Sequence, residues 1–213
     1  MRIGGASSAS RTADQTEIAR FWADGSGTAS PPGHWNQITS DVLTTKQLSV
    51  IEQIRAMALV NFAMADSGIA SWKAKYDYEL WRPIDAIQNA DVDSNPATQA
   101  DPTWKPLIVT PPFPAYVSGH CTFSSAASVV LTRLFGPSVS FVSQSDTASE
   151  WRLVSSTEPS PKLRTFTSFT QAAEEAGMSR IYGGIHFSFD NTQGIALGAE
   201  IGNFVANNAL KKR

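Results

Sequence analysis

The longest regular pattern of apolar residues begins near Thr45, where such side chains recur mostly at intervals of three and four residues. Side chains with this spacing share one face of an α-helix, because the helix has about 3.6 residues per turn. We therefore predict a long helix whose apolar face is buried. The positions that form this face are Leu48, Ile51, Ile54, Met57, Ala58, Phe62 and Ala65.

Shorter patterns of the same kind predict the other helices. A first helix, capped by Thr12 or Asp14, carries Phe21 and ends near residue 25. Another covers 69–81 and ends there, because Pro83 disfavours the helical conformation of the residue before it. The remaining predicted helices are 118–135, 168–182 and 191–210.

Proline, glycine and polar residues mark the connections between these helices. Residues 30–33, Ser-Pro-Pro-Gly, predict a connector. Residues 91–115 contain six prolines and predict a long loop that wraps back to a site. Residues 136–161 are polar and predict an irregular region with a short extended piece at 138–142.

These elements predict an all-α helical bundle. At roughly 150 residues per domain, the 213 residues fit one large domain or two small ones. We assign residues 1–213 to a single bundle, with the N-terminal helix and connector in 1–40 packed on the core.

Composition excludes several classes of function. The 17 basic and 19 acidic residues give a net charge of −2, without the basic face that nucleic-acid binding requires. The sequence predicts no membrane span, because no apolar run is long enough. The N-terminus has one basic residue without an apolar run behind it, which does not predict a signal peptide. Cys121 is the single cysteine, which excludes an internal disulfide.

Three segments carry residues that a helical bundle does not need for folding. In the first, Lys75 and Arg82 are seven residues apart, so a continuous helix would place both cations on one face. A solvated helix face with two charges would give the same pattern.

The second segment is Ser118-Gly119-His120, at the predicted start of a helix. Free amides at a helix N-terminus bind anions, and Gly119 lets an anion approach the backbone. Ser118 would add a hydroxyl donor, and His120 would serve as an acid or base. The alternative is a serine cap beside a buried, hydrogen-bonded histidine.

The third segment contains Arg180, His186 and Asp190. If it is helical, His186 and Asp190 are one turn apart, so the carboxylate would fix one ring nitrogen and leave the other as a nucleophile or ligand. Alternatively, the pair only caps the helix that follows.

Together the segments supply three cations, an amide-rich helix start and two histidines. A tetrahedral or trigonal-bipyramidal oxyanion requires such a set, because guanidinium groups bind its oxygens in pairs and a lysine adds a point charge. The three cations are Lys75, Arg82 and Arg180.

In this order, the motifs K-x6-R-P, S-G-H and S-R-x3-G-x-H-x3-D resemble the superfamily that unites vanadium-dependent haloperoxidases with type-2 phosphatidic acid phosphatases and bacterial acid phosphatases. The resemblance spans residues 66–203 and implies the catalytic helical bundle of that superfamily. The matched positions of the first and third motifs are Lys75, Arg82, Pro83, Ser179, Arg180, Gly184, His186 and Asp190.

The resemblance also implies roles for these residues. His186 would coordinate the vanadium of vanadate or form a phosphohistidine, and Asp190 would orient it. His120 would be the acid–base residue, and Lys75 would polarise hydrogen peroxide. The oxygens of vanadate, or of phosphate as a competing oxyanion, would be held by Lys75, Arg82, Ser118, Gly119 and Arg180.

Two aromatic residues resemble the chloroperoxidase branch of this superfamily. Trp72 and Phe113 match positions that flank the halide there, although both side chains also suit plain core packing. The segment around Asp24 resembles the same branch, which implies that this carboxylate pairs with the site arginines. We therefore expect a vanadate-dependent haloperoxidase that oxidises halide with hydrogen peroxide to hypohalous acid.

The sequence departs from the superfamily at three points. Val117 stands where a proline usually precedes Ser-Gly-His, and Cys121 places a thiol next to His120. In addition, the haloperoxidases are typically much longer, with a second helical bundle before this one. A bundle without its partner would expose apolar surface, so we expect a homodimer or association with a helical-bundle partner.

Four alternatives stay open. The first is an acid phosphatase that hydrolyses a small phosphate ester through a phosphohistidine. The second is a non-catalytic remnant that binds an anion. The third is a zinc site, which the three nearby cations disfavour. The fourth is a Ser118/His120/Asp190 hydrolase, which lacks a Gly-x-Ser-x-Gly elbow. The zinc site would use His34, His120, His186 and Asp190.

Overall fold

The chain folds mainly into helices around one central helix. The computed structural model describes residues 2–146 and 163–211. A short 3-10 turn at Arg2–Gly4 precedes the first helix. The helices are α1 (Ala13–Phe21), α2 (Ser30–Thr44), α3 (Val50–Tyr78), α4 (Pro83–Gln88), α5 (Gly119–Phe135), α6 (Phe169–Tyr182) and α7 (Ser188–Asn208). The predicted all-α helical bundle is confirmed.

Helix α5 is the centre of the bundle and packs against α3, α6 and α7. Its approach to α7 is close because α7 carries glycine every fourth residue at Gly194, Gly198 and Gly202. A Cβ atom at Gly198 would overlap the carbonyl oxygen of Thr122 on α5. This contact fixes α5 and α7 against each other, and therefore also the two predicted motifs at their N-terminal ends.

The predicted connector at 30–33 is wrong, because these residues form the first turn of α2. Proline is tolerated there, since the first backbone N–H groups of a helix have no partner within the helix. Helix α2 then buries Trp35 and Ile38 in the core.

Helix α3 also differs from the prediction. It is continuous through 69–78, where we expected a separate helix, and it ends at Tyr78 because Glu79 adopts a left-handed conformation with a φ of 44°. Lys75 and Arg82 therefore do not share one helix face. Arg82 instead precedes α4, in the extended conformation that Pro83 imposes.

The predicted buried face of α3 is wrong as well. Ile51 is 73% exposed and Phe62 is 48% exposed, whereas the opposite face, with Leu59, Val60 and Ala63, is buried. Both faces are apolar, so the spacing alone could not show which one packs against the bundle.

The non-helical segments complete the fold. Strands β1 (Phe141–Gln144) and β2 (Leu163–Phe166) form an antiparallel pair in which Phe141 faces Phe166, so the extended piece predicted at 138–142 overlaps β1. Residues 147–161 of the predicted irregular region lie outside the described residues. In the described parts of the chain, no helix is both long enough and apolar enough to cross a bilayer.

Candidate active site

A cleft of about 830 Å³ lies where the start of α5 and the segment before α7 meet the proline-rich loop. The loop wraps back to this point, as we expected. The cleft wall includes Trp72, Arg82, Phe113, Gly119, His120, Phe123, Arg180 and His186. The other predicted site residues, Lys75, Ser118 and Asp190, are buried.

His186 is held by Asp190, although it lies before α7 rather than within it. Its Nδ1 is 3.0 Å from Asp190 Oδ2, and the same oxygen accepts a 3.0 Å hydrogen bond from the backbone N–H of Phe187. The carboxylate therefore both caps α7 and orients the imidazole. The two roles that the sequence offered as alternatives are both present. A carboxylate accepts from Nδ1–H, which leaves Nε2 of His186 unprotonated in the neutral ring.

Burial shifts the ionisation of this pair. Burial, reinforced by the charges of Arg82 and Lys75, holds the pKa of His186 well below its ordinary value, so the imidazole is neutral at neutral pH. Burial also raises the pKa of Asp190 to about 6. At neutral pH the site thus contains a neutral histidine beside an ionised carboxylate.

Arg82 and Arg180 bring two guanidinium groups to the cleft. Arg82 Nη1 donates to the Ile185 carbonyl at 2.8 Å and lies 2.9 Å from His186 Nε2, and Arg180 Nη1 donates to the Trp22 carbonyl at 2.7 Å. Within residues 2–146 and 163–211, Arg82 Nη2 and Arg180 Nε are buried without a hydrogen-bond partner. Burial lowers the pKa of each guanidinium to about 10, so both stay charged.

Lys75 lies behind the cleft and holds the proline-rich loop. Its Nζ donates to three carbonyl oxygens, those of Pro114 at 2.9 Å, Ala115 at 3.0 Å and Val117 at 2.6 Å. Burial, with a smaller effect of Arg82, lowers the pKa of Lys75 to about 7, but the three carbonyl acceptors require all three N–H donors of the ammonium form. These bonds anchor the loop at Val117, where the superfamily usually has proline.

Ser118 and Gly119 form the start of α5. Ser118 is fully buried, and its Oγ accepts from the N–H of Cys121 at 3.4 Å. Ser118 therefore caps α5, as in the second interpretation of this segment from the sequence. Gly119 faces the cleft, and a Cβ atom there would lie 3.0 Å from the Trp72 ring. The glycine thus leaves room for the aromatic wall next to the helix start.

Trp72 and Phe113 meet at one side of the cleft, with their ring centroids 5.1 Å apart. Lys75 Nζ lies 5.7 Å and 5.3 Å from these two centroids, and Phe123 packs on Trp72 at 6.3 Å. The sequence pattern did not identify Phe123. The two predicted aromatics therefore combine an apolar surface with a nearby positive charge.

His120 contacts the segment that follows α1. Its Nε2 is 2.9 Å from the carbonyl oxygen of Trp22 and 3.6 Å from Asp24 Oδ2. A carbonyl oxygen can only accept, so Nε2 carries the proton and Nδ1 is the free base of the neutral ring. The Asp24 charge also acts on Arg180, so this carboxylate links the histidine to one of the site arginines.

His34, which the sequence suggested only as a zinc ligand, contacts the Asp24 carboxylate. Its Nδ1 is 3.0 Å from Asp24 Oδ1, and its Nε2 is 3.0 Å from the Ser143 hydroxyl. It stacks on Trp22 with a centroid distance of 4.6 Å. His34 therefore holds the Asp24 carboxylate in place through this contact. The proximity of His34 to Asp24 in the sequence was the only available signal.

Two alternatives from the sequence are not supported. Among the described residues, no three His, Cys, Asp or Glu side chains converge in a group that could hold a metal ion. The proposed serine hydrolase also fails, because His120 bonds to Trp22 and Ser118 caps its own helix.

Comparisons with known proteins agree with this arrangement. The family description "VCPO second helical-bundle domain" matches residues 55–212. The chain belongs to this vanadium chloroperoxidase domain family. The vanadium chloroperoxidase of Curvularia inaequalis is 34% identical over 157 residues, which cover 62% of this chain and 25% of that protein.

Solved vanadium haloperoxidases share the fold. The chain superposes on the first bacterial vanadium-dependent iodoperoxidase with a TM-score of 0.77 and 36% identity, covering 92% of this chain and 44% of that one. A holo-type bacterial vanadium-dependent chloroperoxidase gives a TM-score of 0.69 at 17% identity, covering 93% and 44%. The chain thus spans a quarter of the curated vanadium haloperoxidase and less than half of the solved ones.

The cysteine that departs from the superfamily pattern is protected. Cys121 is fully buried, its Sγ lies 3.1 Å from Asn191 Oδ1, and burial raises the pKa of the thiol to about 12. Because the thiolate is the reactive form, this buried thiol is a poor target for oxidation.

Removing the ring nitrogens of His34 should destabilise the fold. His34→Phe keeps the stacking on Trp22 but takes a buried donor from Asp24, which we expect to cost about 3 kcal/mol in the free energy of unfolding. Ser143→Ala is the matched control, because it removes only the hydroxyl at Nε2 and should cost about 1 kcal/mol. Urea unfolding measures both variants. Equal stabilities of His34→Phe and the wild type would contradict this role of His34.

His120 should make stability depend on pH. Burial lowers the pKa of His120 to about 4 from 6.5, with a smaller contribution from Arg180. The folded state therefore resists protonation, so the stabilising effect of neutral His120 is complete above pH 6.5 and is lost as the pH falls towards 4. His120→Gln cannot titrate. Relative to this variant, the wild type should lose about 3 kcal/mol of unfolding free energy over that range. A difference that does not vary with pH would contradict the burial of a neutral imidazole.

Proposed function

We propose that this chain is the catalytic bundle of a vanadate-dependent haloperoxidase, which oxidises halide with hydrogen peroxide to hypohalous acid. One observation carries the proposal. Arg82 and Arg180 line the same cleft as His186, and each has a buried N–H group without a hydrogen-bond partner among the described residues. Donors buried without a partner are costly unless a ligand accepts from them.

A vanadate ion fits this set of groups. It offers oxygens to the two guanidinium groups and a metal centre to the imidazole nitrogen, and its negative charge would offset the crowding of three cations. Arg82 Nη1, 2.9 Å from His186 Nε2, would turn from the imidazole to an oxygen of the ion. Bound vanadate supplies activation of hydrogen peroxide towards attack by halide, without a change in the oxidation state of vanadium.

The two histidines would have different roles, anion binding for His186 and proton transfer for His120. His186 would hold the ion through Nε2, because Asp190 keeps the other ring nitrogen protonated. His120 would take up and return protons through Nδ1, because its Nε2–H is held by the Trp22 carbonyl. The low pKa of His120, about 4, leaves this base neutral at ordinary pH.

Lys75 would hold the loop in place and supply positive charge to the site. Its three bonds to carbonyl oxygens fix the loop that carries Phe113 and leads to Ser118. To polarise hydrogen peroxide directly, the ammonium would have to give up one of these bonds. Halide would bind against Trp72 and Phe113, where the ammonium charge lies within 6 Å of both rings.

Hydrolysis of a phosphate monoester is the second candidate. It is supported by the unprotonated Nε2 of His186, since an attacking histidine needs a free lone pair, and by cations that would bind phosphate as well as vanadate. At a pH near its pKa of about 4, His120 would carry a proton on Nδ1 and would donate it to the leaving alcohol. An anion-binding remnant without turnover would use the same contacts.

Halogenation of a dimedone-type reporter with hydrogen peroxide and bromide tests the proposal. The protein should be active only after orthovanadate is added, and His186→Ala should lose more than 100-fold of that activity. Lys75→Gln should lose at least tenfold, because the loop is released. Lys73→Gln is its matched control, since Lys73 is exposed on the same helix, and should stay unchanged.

Three results would contradict the proposal. The first is absence of halogenation by folded protein in saturating vanadate. The second is steady hydrolysis of p-nitrophenyl phosphate that His186→Ala abolishes, in protein that does not halogenate the reporter, which would favour the phosphatase. The third is full vanadate-dependent activity of the Lys75→Gln variant.

A further inference from the structure

The exposed face of α3 is apolar along almost its whole length. Ile51 is 73% exposed, Ile54 60%, Ile69 71% and Tyr76 58%. Successive exposed apolar residues on this face are three or four positions apart, and the last two are seven apart with Trp72 between them. They therefore lie on one line along the helix. We call this face the α3 stripe; it consists of Ile51, Ile54, Ala58, Phe62, Ala65, Ile69 and Tyr76.

Exposure of such an apolar surface to water is unfavourable. The exposed face of a surface helix normally carries charged residues, but between Val50 and Trp72 the charged positions are only Glu52, Arg55 and Asp66. Together the side chains of the stripe expose roughly 700 Å², more than the largest apolar patch of a typical monomer. The area is close to the roughly 800 Å² that each partner buries in an interface of standard size.

The stripe is complementary to itself. When two copies of α3 run antiparallel with Phe62 opposite Ala65, the residue numbers of each facing pair have the same sum. Ala58 then faces Ile69, so the two central pairs each place a large side chain against a small one. Nearer the ends, Ile51 faces Tyr76 and Ile54 faces Lys73, whose aliphatic stem can cover it. A twofold axis makes every such pair occur twice, as a symmetric dimer requires.

We propose that the α3 stripe binds a second copy of this chain, with the two α3 helices antiparallel in this register. The contact is independent of the chemistry in the cleft. Trp72 lies on the same helix between Ile69 and Tyr76, so the partner copy would cover α3 next to the aromatic wall of the cleft.

Sedimentation equilibrium of the full chain tests the dimer. The wild type should sediment at twice its mass of 23.0 kDa at micromolar concentrations. Ile69→Lys and Phe62→Lys place charges in the interface and should weaken association at least 100-fold. Both positions are solvent-exposed, so the fold should be retained, which circular dichroism checks. Val142→Lys, at a 49% exposed position on β1, is the matched control and should dimerise as the wild type does.

Charge pairing tests the register. In the double variant A58E/I69K the new carboxylate of one copy faces the new ammonium of the other, so it should dimerise at least tenfold more tightly than Ile69→Lys alone. The two positions are eleven residues apart, or about 16 Å along one helix, so they do not pair within a chain.

Cross-linking tests the direction of the helices. The double variant I51C/Y76C should form an intermolecular disulfide on mild oxidation. Ile51→Cys alone should not, because in the antiparallel dimer its two copies lie about 38 Å apart. The wild type, whose Cys121 is buried, is the blank.

Any of three outcomes would overturn the proposal. A monomer at all concentrations would show that the stripe does not bind a second copy. A dimer that persists in Ile69→Lys would place the interface elsewhere. Efficient cross-linking of Ile51→Cys by itself would show a parallel arrangement.

Discussion

The site is constrained by the repulsion between three cations that are buried around one cleft. Lys75, Arg82 and Arg180 are each at most 3% exposed, and burial lowers the pKa of all three. The fold tolerates these charges because backbone carbonyls and two carboxylates surround them. Asp190 and Asp24 are the carboxylates, and neither removes all of the positive charge. The proposed oxyanion would supply the missing negative charge and would accept from the guanidinium N–H groups that have no partner among the described residues.

The site residues lie at helix ends rather than along helix faces. Arg82 precedes α4, Ser118 caps α5, and Asp190 caps α7 while it orients His186. Glycines on α7 let it approach α5 closely, so the starts of these helices meet. The site is therefore a property of the packing between α5 and α7, and a change that separates these helices would open it.

Much of this could be predicted from the sequence, for identifiable reasons. Ordered motifs and helical spacing predicted the bundle, and the cleft brings together His120, Arg180 and His186 from different elements. The buried face of α3 could not be predicted, because both of its faces are apolar and the packing partners are remote in sequence. The role of His34 was also hidden, since the residues that explain it, Asp24 and Ser143, are joined only by the tertiary fold.

In the proposed function, the cleft binds a vanadate-like oxyanion through Arg82 and His186. Equilibrium dialysis of orthovanadate against the wild type and Arg82→Gln tests it most directly, without dependence on turnover. We predict one bound vanadate per chain in the wild type and at least a 100-fold weaker affinity in Arg82→Gln, because the variant loses a buried charged donor. Equal affinities of the two proteins would contradict the account.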